Sequence, residues 1–511
     1  MKTVSKDLPE LIKSLNKQEK RYFKLYASRH VIGKKNNYVR LFDAIDKQSV
    51  YDEAKIKKKF AGEKFIQQLH VTKNYLYNLI LNSLRLFNEA RSEDRFPLLI
   101  RNVQLLIDKG LFAQSKKILQ KAKKTAIENE QFLYLLEVFH WEHRIIHASK
   151  DSKQLEEYIT VKFQEELNAL DNYKNYLQFQ LLHDQVFHRY WQKGSLRKKE
   201  DKEALANFFK KALYRKVENA KSYNAKMFYL NARFSYHYLA GELDKSYQHI
   251  LEQVALYENL DKSHKVGKRV KRYIGSLNNL FIVQKQLGKY QQALETIHKL
   301  RNIATKSINA KANIVASSYN LEIDLYLSRG QFSEGIQNLG QVKADFQQYI
   351  DYVDFQQRLG LYYNLSYLYF GANQFEQSLD WINILLNDKD LKHREDIHSF
   401  ARILNLIIHY ELGNDDLLEY IVKSTYRFLS KGKRLFKVES IILQFLKKYP
   451  NWRSRKEMRN GFQELYEELI LLLDDEFEKR AFEYFDFISW LKSKIEKQSF
   501  ESIIKRKGVE D

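Results

Sequence analysis

The amino-acid sequence predicts an all-α protein, built as an α-solenoid of antiparallel helix pairs. The 511 residues include only three prolines and 17 glycines, so the predicted helices meet few residues that break them. Apolar residues recur at the three- and four-residue spacing of a helix face, and similar turn segments return every 40 to 47 residues. Since the chain is also longer than one compact core usually holds, a repeat array is favoured.

The composition excludes several classes of protein. With 44% hydrophobic and 29% charged residues the chain is globular, and the absence of cysteine excludes disulfides, thiolate nucleophiles and Cys-ligated zinc. Residues 1–9 lack the apolar run of a signal peptide. No stretch approaches the roughly 18–20 apolar residues of a membrane span. We therefore expect a cytoplasmic protein with no membrane span.

The segment 287–294 shows how one helix pair is joined. Gly288 ends the first helix because glycine adopts a positive φ without a Cβ penalty. Tyr290 can then wedge between the two helices, and the small Ala293 lets them approach closely. The same register recurs along the chain, with turn residues at positions 110, about 153, 194, 241, 288, 330, 373 and 413.

This order of glycine, aromatic and small residue resembles the turn of the tetratricopeptide repeat. The spacing exceeds that of the standard repeat, so each helix is expected to run for about 17–20 residues. Such long-helix repeats are similar to those of bacterial tetratricopeptide regulators, which bind peptides or partner proteins. The resemblance implies a concave groove lined by the first helix of each pair.

Three regions are predicted along the chain: a basic helical N-terminal domain at 1–95, an array of about eight helix pairs at 96–432, and a C-terminal helical cap and tail at 433–511. The second region begins where Pro97 fits the first turn of a new helix. In the cap, one helix over 475–497 is expected to cover the end of the array, as terminal repeats require. The tail from Ser502 onward is expected to be loose.

Catalytic motifs are absent from the sequence. It has no phosphate loop, no zinc-protease HExxH, no nucleophile elbow and no dinucleotide fingerprint. His140, His143 and His147 share one helix face and could hold Zn²⁺. A straight helix spreads the outer two over about 10 Å, however, so structural or solvent-facing histidines are favoured. The sequence predicts a protein that is not an enzyme and holds no metal or cofactor.

A series of asparagines marks the first helices of three pairs, each lying ten residues before its turn residue; Asn364 lies nine before its own. In the tetratricopeptide superfamily such asparagines grip the backbone of an extended ligand, and an amide can both donate and accept. The alternative is that they bond the next repeat. With neighbouring tyrosines, the candidate groove residues are Asn231, Asn278, Asn320, Tyr319, Tyr363 and Tyr367.

The formal net charge of +22 is unevenly spread. Residues 1–95 carry a net +10 and residues 201–300 a net +9, whereas residues 301–400 carry −3. A basic chain indicates an anionic partner, although a codon bias toward lysine would also produce it. One helix face gathers four basic residues at offsets 0, 3, 4 and 7. This candidate patch for an anionic partner is Lys265, Lys268, Arg269 and Arg272.

The sequence is compatible with two functions. The first is a non-catalytic scaffold or adaptor that binds a protein or peptide segment in the groove. The second is a nucleic-acid- or ribosome-associated regulatory factor that uses 1–95 and 201–300. A helix-turn-helix over 52–90 is disfavoured, because its second helix has a broad apolar face and only Lys73 and Arg85 to reach phosphates.

Overall fold

The computed structural model describes residues 5–29, 36–89, 96–150, 152–193, 199–260, 268–340, 342–391, 394–432, 435–449, 454–475, 478 and 481–510. They form two compact units, Met1–Tyr173 and Lys174–Asp511. Across these described ranges no residue lies in a β-strand. None of the helices so described is both long enough and apolar enough to cross a membrane. The all-α prediction is confirmed.

The helices of the first unit are α1 (Asp7–Ser14), α2 (Lys17–Ser28), α3 (Asn37–Asp46), α4 (Glu53–Lys59), α5 (Lys64–Gln67), α6 (Leu69–Glu89), α7 (Phe96–Asp108), α8 (Phe112–Glu128), α9 (Phe132–Ser149), α10 (Ser152–Glu157) and the beginning of α11 (Phe163–Lys193). A short break separates α1 from α2, because Asn16 caps α2. Its side chain accepts the N–H of Glu19 and its own N–H donates to the Glu19 carboxylate, both at 2.9 Å; this is a capping box. Phe23 and Phe42 lie at the centre of the core beneath α1–α6, with no exposed surface.

The prediction of a helix pair between turns at 153 and 194 is wrong. The turn expected near 153 falls at Lys150, which adopts a left-handed φ of 51°. Beyond it, α10, a π-helical turn at Tyr158–Lys162 and α11 follow one another without a break. No glycine or proline occurs between residues 152 and 193, so nothing in the sequence ends the helix. The turn expected at 194 lies outside the described residues.

The remaining helices of the second unit are α12 (Lys199–Lys210), α13 (Tyr223–Leu239), α14 (Leu243–Glu258), α15 (Lys268–Gln286), α16 (Tyr290–Arg301), α17 (Ile308–Ser328), α18 (Phe332–Asn338), α19 (Val342–Tyr349), α20 (Phe355–Gly371), α21 (Phe375–Leu386), α22 (Glu395–Glu411), α23 (Asp415–Lys431), α24 (Lys437–Lys448), α25 (Arg455–Ile470), α26 (Ala481–Tyr484), α27 (Phe487–Glu496) and α28 (Phe500–Glu510). We call α13, α15, α17, α20 and α22 the A helices. Each A helix packs against the helix that follows it, and α15, α17, α20 and α22 also pack on one another in that order.

The turns that follow the A helices lie where the sequence predicts them. Positive φ angles occur at five turn residues: Gly241, Gly288, Gly330, Asn373 and Gly413. At Gly288 the next N–H, that of Lys289, bonds back to the carbonyl of Gln284 at 2.8 Å, which closes the end of the helix. The A helices run for 17 to 21 residues as expected. The partner helices α16, α18 and α21 are shorter than predicted, at 12, 7 and 12 residues.

The C-terminal end corrects two expectations. The single helix over 475–497 is instead broken at Phe485–Asp486, because the carboxylate of Asp486 caps α27 by accepting the N–H of Ser489 at 2.9 Å. The tail from Ser502, expected to be loose, belongs to α28, where Ile503 and Ile504 are buried. The C-terminal helices share one hydrophobic core with α17, α20 and α22.

Candidate functional site

The side chains predicted to line a groove all lie on A helices of the second unit. Their positions are Asn231 on α13, Asn278 on α15, Tyr319 and Asn320 on α17, and Tyr363 and Tyr367 on α20. The structure gathers Asn320, Tyr363 and Tyr367 around one region, joined there by Asn364. Asn231 is not among them. Its side-chain oxygen accepts the hydroxyl of Ser235 within α13, at 3.4 Å.

A row of hydrogen-bonded polar side chains crosses α15, α17 and α20. The amide of Asn278 donates to the hydroxyl of Ser317 on α17 at 3.4 Å. Gln357 of α20 donates to the same hydroxyl at 3.0 Å. The amide of Asn320 donates to the backbone carbonyl of Gln357 at 3.2 Å, and Asn364 donates to the Asn320 oxygen at 3.5 Å. Asn278 and Asn320 thus bond the next A helix, the alternative role considered from the sequence.

Tyr319 lies beside this row, and the face of its ring contacts a cationic side chain. The Arg301 guanidinium stands 5.1 Å from the centre of the Tyr319 ring and is also ion-paired with Glu322. This contact joins α16 to α17. Ring and guanidinium attract each other because the face of an aromatic ring is electron-rich.

A cavity of about 440 Å³ opens beside Tyr363 and Tyr367. Its walls come from α17, α20, the residues around Arg394 and the C-terminal segment from Glu483 to Lys507. Gly360 of α20 forms part of the wall. A Cβ atom placed there would meet only the Asn320 oxygen, at 3.8 Å, so this wall has room for a side chain.

Two tyrosines beside the cavity bind the backbone of the C-terminal segment. The Tyr363 hydroxyl donates to the carbonyl of Tyr484, and the Tyr367 hydroxyl accepts the N–H of Asp486, both at 3.1 Å. Burial raises the pKa of both hydroxyls well above their ordinary value, which keeps them neutral. The sequence predicts that an extended ligand contacts these two tyrosines. In the structure they instead contact the backbone of the chain itself, at the break between α26 and α27.

Ion pairs surround the cavity. Arg394 forms a bidentate pair with Asp396 at 2.9 and 2.7 Å, and the Tyr484 hydroxyl donates to the same carboxylate at 2.8 Å. Burial alone would raise the pKa of Asp396, but these hydrogen bonds outweigh it and lower the pKa to about 2. Lys507 pairs with Asp486 at 3.1 Å. The lining is therefore polar but largely charge-balanced.

The candidate basic patch is only partly described. Lys265 lies outside the described residues, and Lys268 begins α15 but its side chain is not described. The Arg269 side chain is 7% exposed and its guanidinium lies 5.1 Å from the Tyr223 ring centre. Arg272 bonds Asn224 and stacks over Phe228. Both arginines contact residues of α13. No pattern in the sequence indicated the aromatic residues against which they pack. Contact with an anionic partner stays a prediction.

The three histidines on α9 do not converge on one point. Nε2 of His143 and Nε2 of His147 are 2.8 Å apart, and the His143 ring stacks on Tyr158 at 4.8 Å. His140 instead lies edge-on to Trp141. Among the residues that the structure describes, no group of three or more side chains could hold a metal ion.

We expect Asn320→Ala to lower the free energy of unfolding by about 1–3 kcal/mol, because it removes the hydrogen bonds that join Asn320 to the Gln357 carbonyl and to the Asn364 amide of α20. Asn231→Ala is the matched control, since among the described residues its side chain hydrogen-bonds Ser235 of its own helix and no neighbouring helix. The control should change the free energy by less than about 0.5 kcal/mol. Urea denaturation measures both, and an equal loss in the two variants would contradict a bridging role for Asn320.

Comparisons with known proteins add no family to this description. No protein-family model matches the chain. A comparison with curated proteins finds no match either.

Proposed function

We propose that this chain is a non-catalytic scaffold or adaptor, a tetratricopeptide-like α-solenoid whose A helices bind a segment of another protein in the cytoplasm. The observation that carries the proposal is the contact of Tyr363 and Tyr367 with the backbone at Tyr484 and Asp486. The two side chains bond a carbonyl and an N–H at the turn between α26 and α27, and such backbone contacts recognise a polypeptide whatever its sequence, as other peptide-binding surfaces do.

The cavity beside the two tyrosines is the best place for the partner. The C-terminal segment is itself held firmly, because Phe485, Phe487 and Trp490 are at most 1% exposed, so it would stay in place. A partner segment would enter between this segment and α17, where Asn364 and the open wall at Gly360 face it. At about 440 Å³ the space lies near the lower end of ligand pockets and suits one or two side chains.

A nucleic-acid- or ribosome-associated role is the second candidate. It is favoured by the net charge of +22 and by the exposed side chains of Lys57, Lys58 and Lys59 on α4. Each phosphate contact should lower the log of the affinity by about 0.9 per tenfold rise in salt. The binding of a protein segment in the largely charge-balanced cavity should depend far less on salt.

A side chain placed at residue 360 tests the first proposal. Gly360→Leu directs a leucine into the cavity, whereas Gly275→Leu adds the same side chain to α15 at an exposed glycine with no atom near its Cβ. Both changes remove a helical glycine and should stabilise the helix by about 0.5–1 kcal/mol. Only Gly360→Leu should lose partner proteins, captured from native cell extract in the presence of nuclease.

Two results would count against the proposal. If both leucine variants keep every partner of the unchanged protein, the cavity is not the binding site. If nuclease removes all partners from the unchanged protein, the nucleic-acid role replaces the scaffold role.

A further inference from the structure

Helix α6 of the first unit exposes a face that carries a single charge. Between residues 71 and 85 this face holds six exposed side chains, within an arc of about 100° at 100° per residue: Val71, Asn74, Tyr75, Asn78, Asn82 and Arg85. We call these six residues the α6 face. Its charged member is Arg85, whereas the exposed face of a helix usually carries several charged residues. Glu89 lies on the same line one turn further, and its side chain is outside the described part of the structure.

The opposite face of α6 lies in the core beneath α1–α6. Leu69, Leu76 and Ile80 are at most 5% exposed, and α1, α2, α3 and α5 all pack against the helix. The broad apolar surface that disfavours a DNA-reading helix in the sequence is therefore covered by the chain itself. The α6 face lies on the other side of the helix, in contact with solvent.

The polar side chains of the α6 face are available for binding. Asn74, Asn82 and Arg85 have no hydrogen-bond or ion-pair partner among the described residues. Asn78 donates to the carbonyl of Asn74 at 3.1 Å, a contact within the helix. Amide and guanidinium groups read base edges in the major groove of DNA, because asparagine forms paired hydrogen bonds with adenine and arginine with guanine. An apolar side chain such as Val71 can contact the methyl group of thymine.

The helices around α6 carry unpaired positive charge. The acidic side chains described between residues 17 and 63 all form an ion pair or a capping bond: Glu19, Asp43, Asp46, Asp52, Glu53 and Glu63. Several exposed cations of the same segment have no ion-pair partner among the described residues: Lys17, Arg21, Lys58, Lys59 and Lys64. This part of the first unit therefore attracts anions such as phosphate groups.

Three of these cations lie on the elements that flank the beginning of α6. Helix α4 is joined to α6 by the ion pair of Glu53 and Lys73, at 2.8 Å, and α5 leads into α6 after a single residue. Lys58 and Lys59 lie at the end of α4, and Lys64 begins α5. DNA-binding domains combine these two features, because contacts to phosphates position the helix whose side chains read the bases.

We propose that α6 enters the major groove of duplex DNA and that the α6 face reads base edges there, while the lysines of α4 and α5 contact phosphates. A helix with its side chains is about 10–12 Å wide, and the major groove of B-form DNA is about 12 Å wide. The major groove of duplex RNA is too deep and narrow to be read in this way. Asparagines at the centre of the face disfavour a protein partner, because the centre of a protein interface is more apolar.

The proposal rests on the nucleic-acid role and is independent of the cavity beside Tyr363 and Tyr367. Selection by the full chain from short DNA duplexes of random sequence tests it. We expect one sequence to be enriched and to bind about tenfold or more tightly than a scrambled duplex. Equal affinity for all DNA duplexes would overturn reading by α6 and leave the nucleic-acid role in place. No binding of any DNA or RNA duplex would overturn both, and equal affinity for the selected sequence as duplex RNA would overturn the major-groove geometry.

A double variant at the centre of the α6 face tests which side chains read the bases. Asn78→Ala with Asn82→Ala should lower the affinity for the selected duplex by about tenfold or more and leave the affinity for the scrambled duplex unchanged. Gln114→Ala with Gln120→Ala is the matched control, because both glutamines are exposed on α8, and it should change neither affinity. Circular dichroism should show the same helix content in all three proteins. No loss in the asparagine variant, or an equal loss for both duplexes, would overturn the proposal.

The salt dependence of binding tests the phosphate contacts. Lys58→Gln with Lys59→Gln should weaken the binding of both duplexes alike, and the slope of log affinity against log salt should become shallower by about two. Lys117→Gln with Lys121→Gln is the control, because these lysines are exposed on α8 and should leave the slope unchanged. An unchanged slope in the α4 variant would overturn the placement of α4 against the DNA backbone.

Discussion

Glu439→Gln is expected to stabilise the protein by about 2–3 kcal/mol at pH 8 while changing its stability little at pH 4.5. Glu439 lies at the beginning of α24, 3% exposed, and its Oε2 atom has no hydrogen-bond partner among the described residues. Burial, with the nearby Glu478 carboxylate, raises the pKa of Glu439 to about 7. Glu478 itself accepts the N–H groups of Lys437 and Val438, at 3.1 and 3.0 Å.

The sign of the pH effect follows from which state binds the proton more tightly. The folded protein holds the Glu439 proton up to about pH 7, whereas the unfolded chain releases it near pH 4.3. The stability that the protonated group contributes is therefore complete below about pH 4 and is lost as the pH rises through 7. A pKa difference of more than two units corresponds to about 3 kcal/mol. Glutamine has no proton to lose, so the variant escapes this loss.

Urea denaturation from pH 4.5 to pH 8 measures the difference between the two proteins. The gain from Glu439→Gln should grow with pH and level off above 7. Glu464→Gln on α25 is the control, because Glu464 is exposed, and it should leave the pH trend unchanged. Parallel stability curves for Glu439→Gln and the unchanged protein would mean that Glu439 is ionised in the folded state.

The helix pairs of the second unit could be predicted because the signals that end their helices are local. A residue with a positive φ, an aromatic and a small residue stand within a few positions of one another at Gly288 and Gly330, and each acts on its own turn. The same reasoning predicts the turn near 153, which occurs at Lys150, but its prediction of a further break between that turn and position 194 is wrong. Without glycine or proline to break it, the helix continued as α11.

The C-terminal end could not be predicted because its burial depends on residues far away in sequence. Ile504 stands among lysine and arginine and suggests an exposed tail. In the structure it packs on Gly330, where a Cβ atom would come within 2.9 Å of the Ile504 side chain. Glycine at position 330 thus has two roles: it adopts the positive φ of the turn, and it leaves room for α28 to pack against it. Only the first role can be inferred from neighbouring residues.

The candidate site was predicted in part. The sequence predicts Tyr363 and Tyr367 as aromatic groove residues on first helices, and the structure places them together beside a cavity. Their contact with the chain's own backbone was not foreseeable, because a break at Asp486 creates it. Helical offsets placed Arg269 and Arg272 on one face, but offsets do not say whether that face meets solvent. Here the two arginines meet Tyr223 and Phe228.

Phe500→Ala is expected to lower the free energy of unfolding of the second unit by about 3–5 kcal/mol, the usual cost of removing a buried phenylalanine ring. Phe500 is 3% exposed, and its ring centre lies 5.6 Å from that of Phe332 and 5.8 Å from those of Phe370 and Phe485. The change leaves a cavity where α28 meets α18 and α20. Leu471→Ala is the control, because Leu471 is 79% exposed and should cost almost nothing.

The same variant shows whether the C-terminal segment is packed on the rest of the unit or loose in solution. If Phe500→Ala costs no more than Leu471→Ala in urea denaturation, α28 is frayed in solution and the tail is loose, as the sequence alone suggested. If the cost is large, the segment that Tyr363 and Tyr367 hold is a fixed wall of the cavity, because α28 also pairs Lys507 with Asp486. Loosening that wall should then weaken partner capture together with stability, whereas Gly360→Leu should weaken capture alone.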